Sequence, residues 1–103
     1  MITAVTYAPM QLALDAQATI TGEASYRDPD GDTHQMIIGF LDPKGALSEA
    51  SPYDTGTSGR LIADVVFSLT LTPKQVGIYH LSVRFVDDAG LSSEPDTEPF
   101  DVQ

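Results

Sequence analysis

The stretch Val76-Gly77-Ile78-Tyr79-His80-Leu81-Ser82-Val83-Arg84-Phe85-Val86, followed by Asp87-Asp88-Ala89-Gly90, decides the fold. Tyr79, Leu81, Val83 and Phe85 recur at every second position, with His80, Ser82 and Arg84 between them. Successive side chains of an extended strand point to opposite faces, so this spacing predicts a half-buried β-strand. Outward from it, the same period returns. Ala63, Val65, Phe67, Leu69 and Leu71 alternate with Asp64, Ser68 and Thr70. Ala18, Ile20, Gly22, Ala24 and Tyr26 alternate with Thr19, Thr21, Glu23, Ser25 and Arg27. Residues 34–41 form a further strand with Met36, Ile38 and Phe40 on one face.

Turn chemistry separates these runs. Asp28-Pro29-Asp30-Gly31-Asp32 and Asp42-Pro43-Lys44-Gly45 combine a preset φ, a self-bonding carboxylate and a glycine that accepts positive φ. Residues 2–14 hold one or two short strands interrupted by Pro9, which a sheet tolerates only at an edge or a bend. Residues 45–59 are small and polar, a long loop with room for a short edge strand; residues 88–99 form another loop, and 98–102 the last strand. No apolar repeat at three- and four-residue spacing is long enough for a helix. Short alternating runs with turn signals every 8–12 residues or so predict an all-β sandwich. The expectation is a single domain over residues 1–103, a seven-stranded immunoglobulin-like Greek-key β-sandwich with inner faces supplied by Ile20, Ile38, Val65, Phe67, Leu81 and Val83.

Size and charge narrow the function. A chain of 103 residues buries roughly two thirds of its unfolded surface and needs no staple. Five Lys and Arg oppose fifteen Asp and Glu, a formal charge of −10 that repels nucleic acid and anionic lipid. It suits a cation or a basic protein partner instead. Without cysteine there are neither disulfides nor thiolate metal sites, and no apolar run reaches the roughly 18 residues of a membrane helix.

Asp28-Pro29-Asp30-Gly31-Asp32-Thr33 resembles the turn between the second and third strands of bacterial cadherin-like and immunoglobulin-like repeats. Gly77-Ile78-Tyr79-His80-Leu81-Ser82-Val83 with Asp87-Asp88-Ala89-Gly90-Leu91-Ser92-Ser93 is similar to the closing strands of those repeats and of polycystic-kidney-disease-type (PKD) domains. The Trp-x-Phe-Gly-Asp-Gly stretch of PKD domains is absent, as is any tryptophan. The resemblance implies a non-enzymatic spacer or adhesion module of a longer bacterial surface or secreted chain, meeting its neighbouring domains or a protein or glycan ligand.

Four candidate sites follow. In a sandwich of this topology the loops at 28–32 and 87–96 lie at one pole. Asp28, Asp30, Asp32, Asp87 and Asp88 would then converge as oxygen ligands, of which calcium takes six to eight. Asp28-Pro29-Asp30-Gly31-Asp32 reads alternatively as a tight turn whose aspartates cap backbone amides. They are not an EF-hand loop, because Gly39 stands where the bidentate glutamate belongs. Tyr79 reads as a tyrosine corner whose hydroxyl bonds upstream backbone, so Tyr79→Phe would cost on the order of 1 kcal/mol. His34 and His80 are expected as solvated surface residues that do not converge. For a carbohydrate-binding module, the aromatics not required by the core would be Tyr7, Tyr26, Tyr53 and Phe100. A phage-particle or cytoplasmic decoration domain is the remaining alternative. No nucleophile-elbow spacing or Gly-rich phosphate loop supports an enzyme.

Overall fold

In the computed structural model, residues 2–29, 31, 33–50, 52–55 and 61–103 are described, together with the backbone but not the side chain of Tyr53. They form two facing sheets and no helix. β1 (Ile2–Ala8), β3 (Ala18–Arg27) and β7 (Ile62–Leu71) make the smaller sheet, in the order β1-β3-β7. The larger one runs β2 (Gln11–Leu12), β9 (Asp96–Val102), β8 (Gly77–Asp87), β4 (Thr33–Leu41) and β5 (Leu47–Glu49), with β6 (Tyr53–Asp54) also on β4. Every pairing is antiparallel except β2 with β9.

The alternation seen in sequence becomes two apolar inner faces. Ile20, Ile38, Val65, Phe67, Leu81 and Val83 are all buried, as expected. Rows of paired residues alternate large and small: Ile2–Tyr26–Ala63, Val5–Ala24–Val65 and Tyr7–Gly22–Phe67 across the smaller sheet. A side chain at Gly22 has no room, since its Cβ would lie 2.7 Å from Phe67 Cζ and closer still to the Thr6 carbonyl. The glycine therefore lets β1 and the Phe67 ring close over β3.

Seven strands were the expectation; nine are present among the described residues. The difference has two causes. The first strand is divided at Pro9, so that β1 joins one sheet and β2 the other. Pro99 helps to fix the hand-off: β9 turns that position toward β2, where proline has no N–H to give to a longer parallel ladder. The second cause is the 45–59 loop, whose edge strand is interrupted into β5 and β6 along β4.

On the outer face of the larger sheet Arg84 reaches over β4 to Glu49, Nε–Oε2 2.8 Å and Nη2–Oε1 3.2 Å. Gly39 lies between their strands, and a Cβ there would strike the Ser48 carbonyl. This paired fork holds the short β5 edge, and its hydrogen bond raises the Arg84 pKa further.

Candidate functional site

Local backbone chemistry shapes the acidic pole. Asp28 Oδ2 accepts from the Thr33 N–H at 2.9 Å and the Thr33 hydroxyl at 2.7 Å, closing the β3–β4 turn over Gly31 at φ 67°. Asp87 Oδ1 accepts from the N–H groups of Ala89 and Leu91 at 3.0 and 2.8 Å, closing the β8–β9 turn. Thr33 and Asp87 are register partners, so the two caps sit side by side. Asp88 stands nearby, its Oδ1 3.0 Å from His34 Nδ1. Asp30 and Asp32 lie outside the described residues. Among the described residues no three carboxylates or imidazoles gather closely enough to hold a metal ion, and Asp28 and Asp87 each commit an oxygen to backbone.

Several aromatic expectations need correction. Tyr26 is not spare: it is 1% exposed and packs on Phe85 with ring centroids 4.7 Å apart. It shares the face of Ile20 and Ala24, and the strand period alone directs it inward. Phe100 is 2% exposed and stacks on Tyr79 at 5.3 Å, because β9 places it in register with that tyrosine. Tyr7 is half-buried and donates its hydroxyl to the Pro99 carbonyl at 2.6 Å, tying β1 to the opposite sheet. The Tyr53 side chain lies outside the described residues.

The Tyr79 ring lies between Phe40 and Phe100. Its hydroxyl has no hydrogen-bond partner among the described residues, so the tyrosine-corner bond is not found there. Tyr79→Phe should accordingly lower stability by only a few tenths of a kcal/mol, well under the ~1 kcal/mol of a bonded hydroxyl; urea unfolding midpoints would show the difference.

The histidines are less solvated than their alternation suggests. His34 is half-buried with Nδ1 itself shielded from water, close to Asp88 but not aligned for a hydrogen bond. His80 is half-buried between Leu41 and Pro99 on the outer face, at the other end of the sheet, so the two do not converge.

An unforeseen feature is the lateral opening between β1 and β9. Ile2, Val5, Glu94, Pro95, Asp96 and Glu98 are among the residues lining a groove of about 610 Å3. Asp96 and Glu98 belong to the inner face: Asp96 shares a row with Val83 and Ile38, Glu98 with Leu81 and Phe40. They remain half-exposed only because β1 pulls away from the edge of β9. Burial raises the Glu98 carboxyl above the usual carboxylate range, and the charge and hydrogen bond of Asp96 add to it. Burial and then the same two acids push the Tyr7 phenol up. The signal available in sequence was the parity of Asp96 and Glu98 with Phe100 and Val102.

No family model and no curated protein matches the chain. Solved structures do. A PKD domain of an M14-like peptidase from Thermoplasmatales archaeon SCGC AB-540-F20 aligns with a TM-score of 0.57 and 23% identity, over 96% of this chain and 90% of that one. The PmoD soluble domain from Methylocystis sp. ATCC 49242 (Rockwell) gives 0.55 at 11% identity, over 100% and 97%. The Pseudomonas fluorescens alkylpurine DNA glycosylase AlkC, bound to DNA containing an abasic site analog, gives 0.55 at 10% identity over 99% of this chain and 30% of that one. Identities this low speak to architecture alone. Two facing sheets, their alternating inner faces and these likenesses together make this chain a β-sandwich with a PKD-like fold.

Proposed function

We propose that this chain is a non-enzymatic structural and interaction module, an immunoglobulin-like Greek-key spacer or adhesion repeat of a larger bacterial surface or secreted protein. The observation that carries the reading is the likeness to a PKD domain that is itself one part of a peptidase. The geometry is consistent with it: side chains that would do chemistry serve as turn caps at Asp28 and Asp87 or as an edge clamp at Arg84 and Glu49. A carbohydrate platform is disfavoured, because Tyr26 and Phe100 are consumed by the core.

Within this reading, calcium held by Asp28, Asp30, Asp32, Asp87 and Asp88 stiffens the joint with a neighbouring domain. The reading is supported by Thr33 and Asp87 being register partners, which sets side by side the two turns whose aspartates would share a divalent ion. Thermal melts at millimolar calcium and with chelator test this part. Binding at a hundred times the dissociation constant adds about 2.7 kcal/mol, a clear rise in midpoint. An unchanged midpoint removes calcium and leaves the spacer role standing. The spacer role itself fails if the encoding reading frame holds neither an export signal nor further modules.

A further inference from the structure

Two unpaired strand edges face each other across the groove, and the residues between them have one sign of charge. The Asp101 N–H donates to the Met10 carbonyl at 2.8 Å and the Gln103 N–H to the Leu12 carbonyl at 3.0 Å. Odd-numbered residues of β9 therefore turn their backbone groups away from β8, since antiparallel ladders alternate sides residue by residue. Thr97 must present both its N–H and its carbonyl to the groove. Pro99 presents a carbonyl alone, already taken by Tyr7. Among the described residues no strand pairs with β9 above Asp101 on this side, and β1 pairs only with β3.

We propose that the groove between β1 and β9 receives an extended peptide segment carrying Lys or Arg at alternate positions, added as a short strand to the free edge of β9. Asp96 and Glu98 are two residues apart on the inner face, so basic side chains at positions i and i+2 of an added strand meet both. Main-chain bonds to Thr97 supply attachment, and the acids choose the side chains, the division of labour typical of strand addition. Inward-pointing charge and Pro99 also guard the edge against the wrong partner. A second copy of this chain, at −10, would bring like charge to the opening, and an apolar strand would leave the two carboxylates desolvated without partners. A basic strand alone turns that cost into attraction. Burial first and then the neighbouring Asp96 raise the Glu98 carboxyl, and a basic side chain seated between the two acids would offset both. The groove uses none of the five aspartates of the acidic turns, so it goes beyond the spacer reading and does not depend on calcium.

The test is an amide-resolved NMR titration of the domain with the blocked peptide Lys-Thr-Lys-Val-Lys at low salt. Three comparisons accompany it: glutamate in place of each lysine, N-methylation of alternate peptide amides, and the Asp96→Asn/Glu98→Gln protein. The expected result is saturable shifts confined to residues 2–5 and 94–98, with affinity at least about tenfold weaker in every comparison and in high salt. The double variant should melt no lower than the parent at pH 7, because it removes like charges from a partly buried site. Should it fail to fold, the peptide series decides alone. Shifts elsewhere, equal binding by the N-methylated or acidic peptide, equal binding by a folded double variant, or a dimer of the protein alone that covers residues 94–98 would each overturn the proposal.

Discussion

Phe100→Ala lowers the unfolding free energy by about 3–5 kcal/mol, the range for truncating a buried aromatic ring. Phe100 is the inner-face residue of β9 that stacks on Tyr79, whose other side meets Phe40. Removing the ring opens a void between three strands of the larger sheet, and neighbours fixed by ladder hydrogen bonds cannot collapse into it. Marginal domains hold only 5–15 kcal/mol in total, so the variant should lose a large part of its stability. Chemical denaturation followed by far-ultraviolet circular dichroism measures it. A loss under about 1 kcal/mol would mean that Phe100 lies at the surface after all, and that the face assignment of β9 is wrong.

Gly22→Ala should cost about 1–3 kcal/mol, the range for overpacking, although a methyl is among the mildest additions in other settings. The cause is geometric. The new Cβ would strike the Thr6 carbonyl oxygen and sit 3.0 Å from Tyr7 Cα, both backbone, as well as against the Phe67 ring. A ring can tilt; a paired backbone has to leave. Hydrogen exchange should therefore show the amides of β1 losing protection before those of β8 and β4. Uniform loss across both sheets would instead mean that Phe67 absorbs the methyl and β1 stays docked.

How much was legible follows from what each strand buries. β3, β7 and β8 each put one face on the core, so their period of two was visible and their inner residues were correctly identified. Tyr26 is directed inward by its parity with Ile20 alone, whereas the burial of Phe100 depends on the register of β9 against β8. The turns at Asp28 and Asp87 could be read from Asp-Pro-Asp-Gly and Asp-Asp-Ala-Gly, because an aspartate capping its own loop is a local event. The break at Pro9 is legible in the sequence; that β1 and β2 join different sheets is not, since it depends on pairing with β9 some ninety residues away. β5 shows no alternation because it buries no face of its own, and β6 is only two residues long. The parity of Asp96 and Glu98 with Phe100 and Val102 is legible, but the groove is not, because no local signal shows that β1 pulls away from β9.

The parallel contact of β2 with β9 has a mechanical consequence. Ile2 starts at the pole of the Asp28 turn, whereas Val102 ends beside Gly77 at the opposite pole. Tension drawn through the two ends thus slides β2 and β9 past each other along their length. The bonds from Asp101 to Met10, Gln103 to Leu12 and Leu14 to Gln103 would be strained together in shear instead of being unzipped one after another. A tether built this way resists a sudden tug better than its few bonds suggest, and yields first where the leading strand changes sheets.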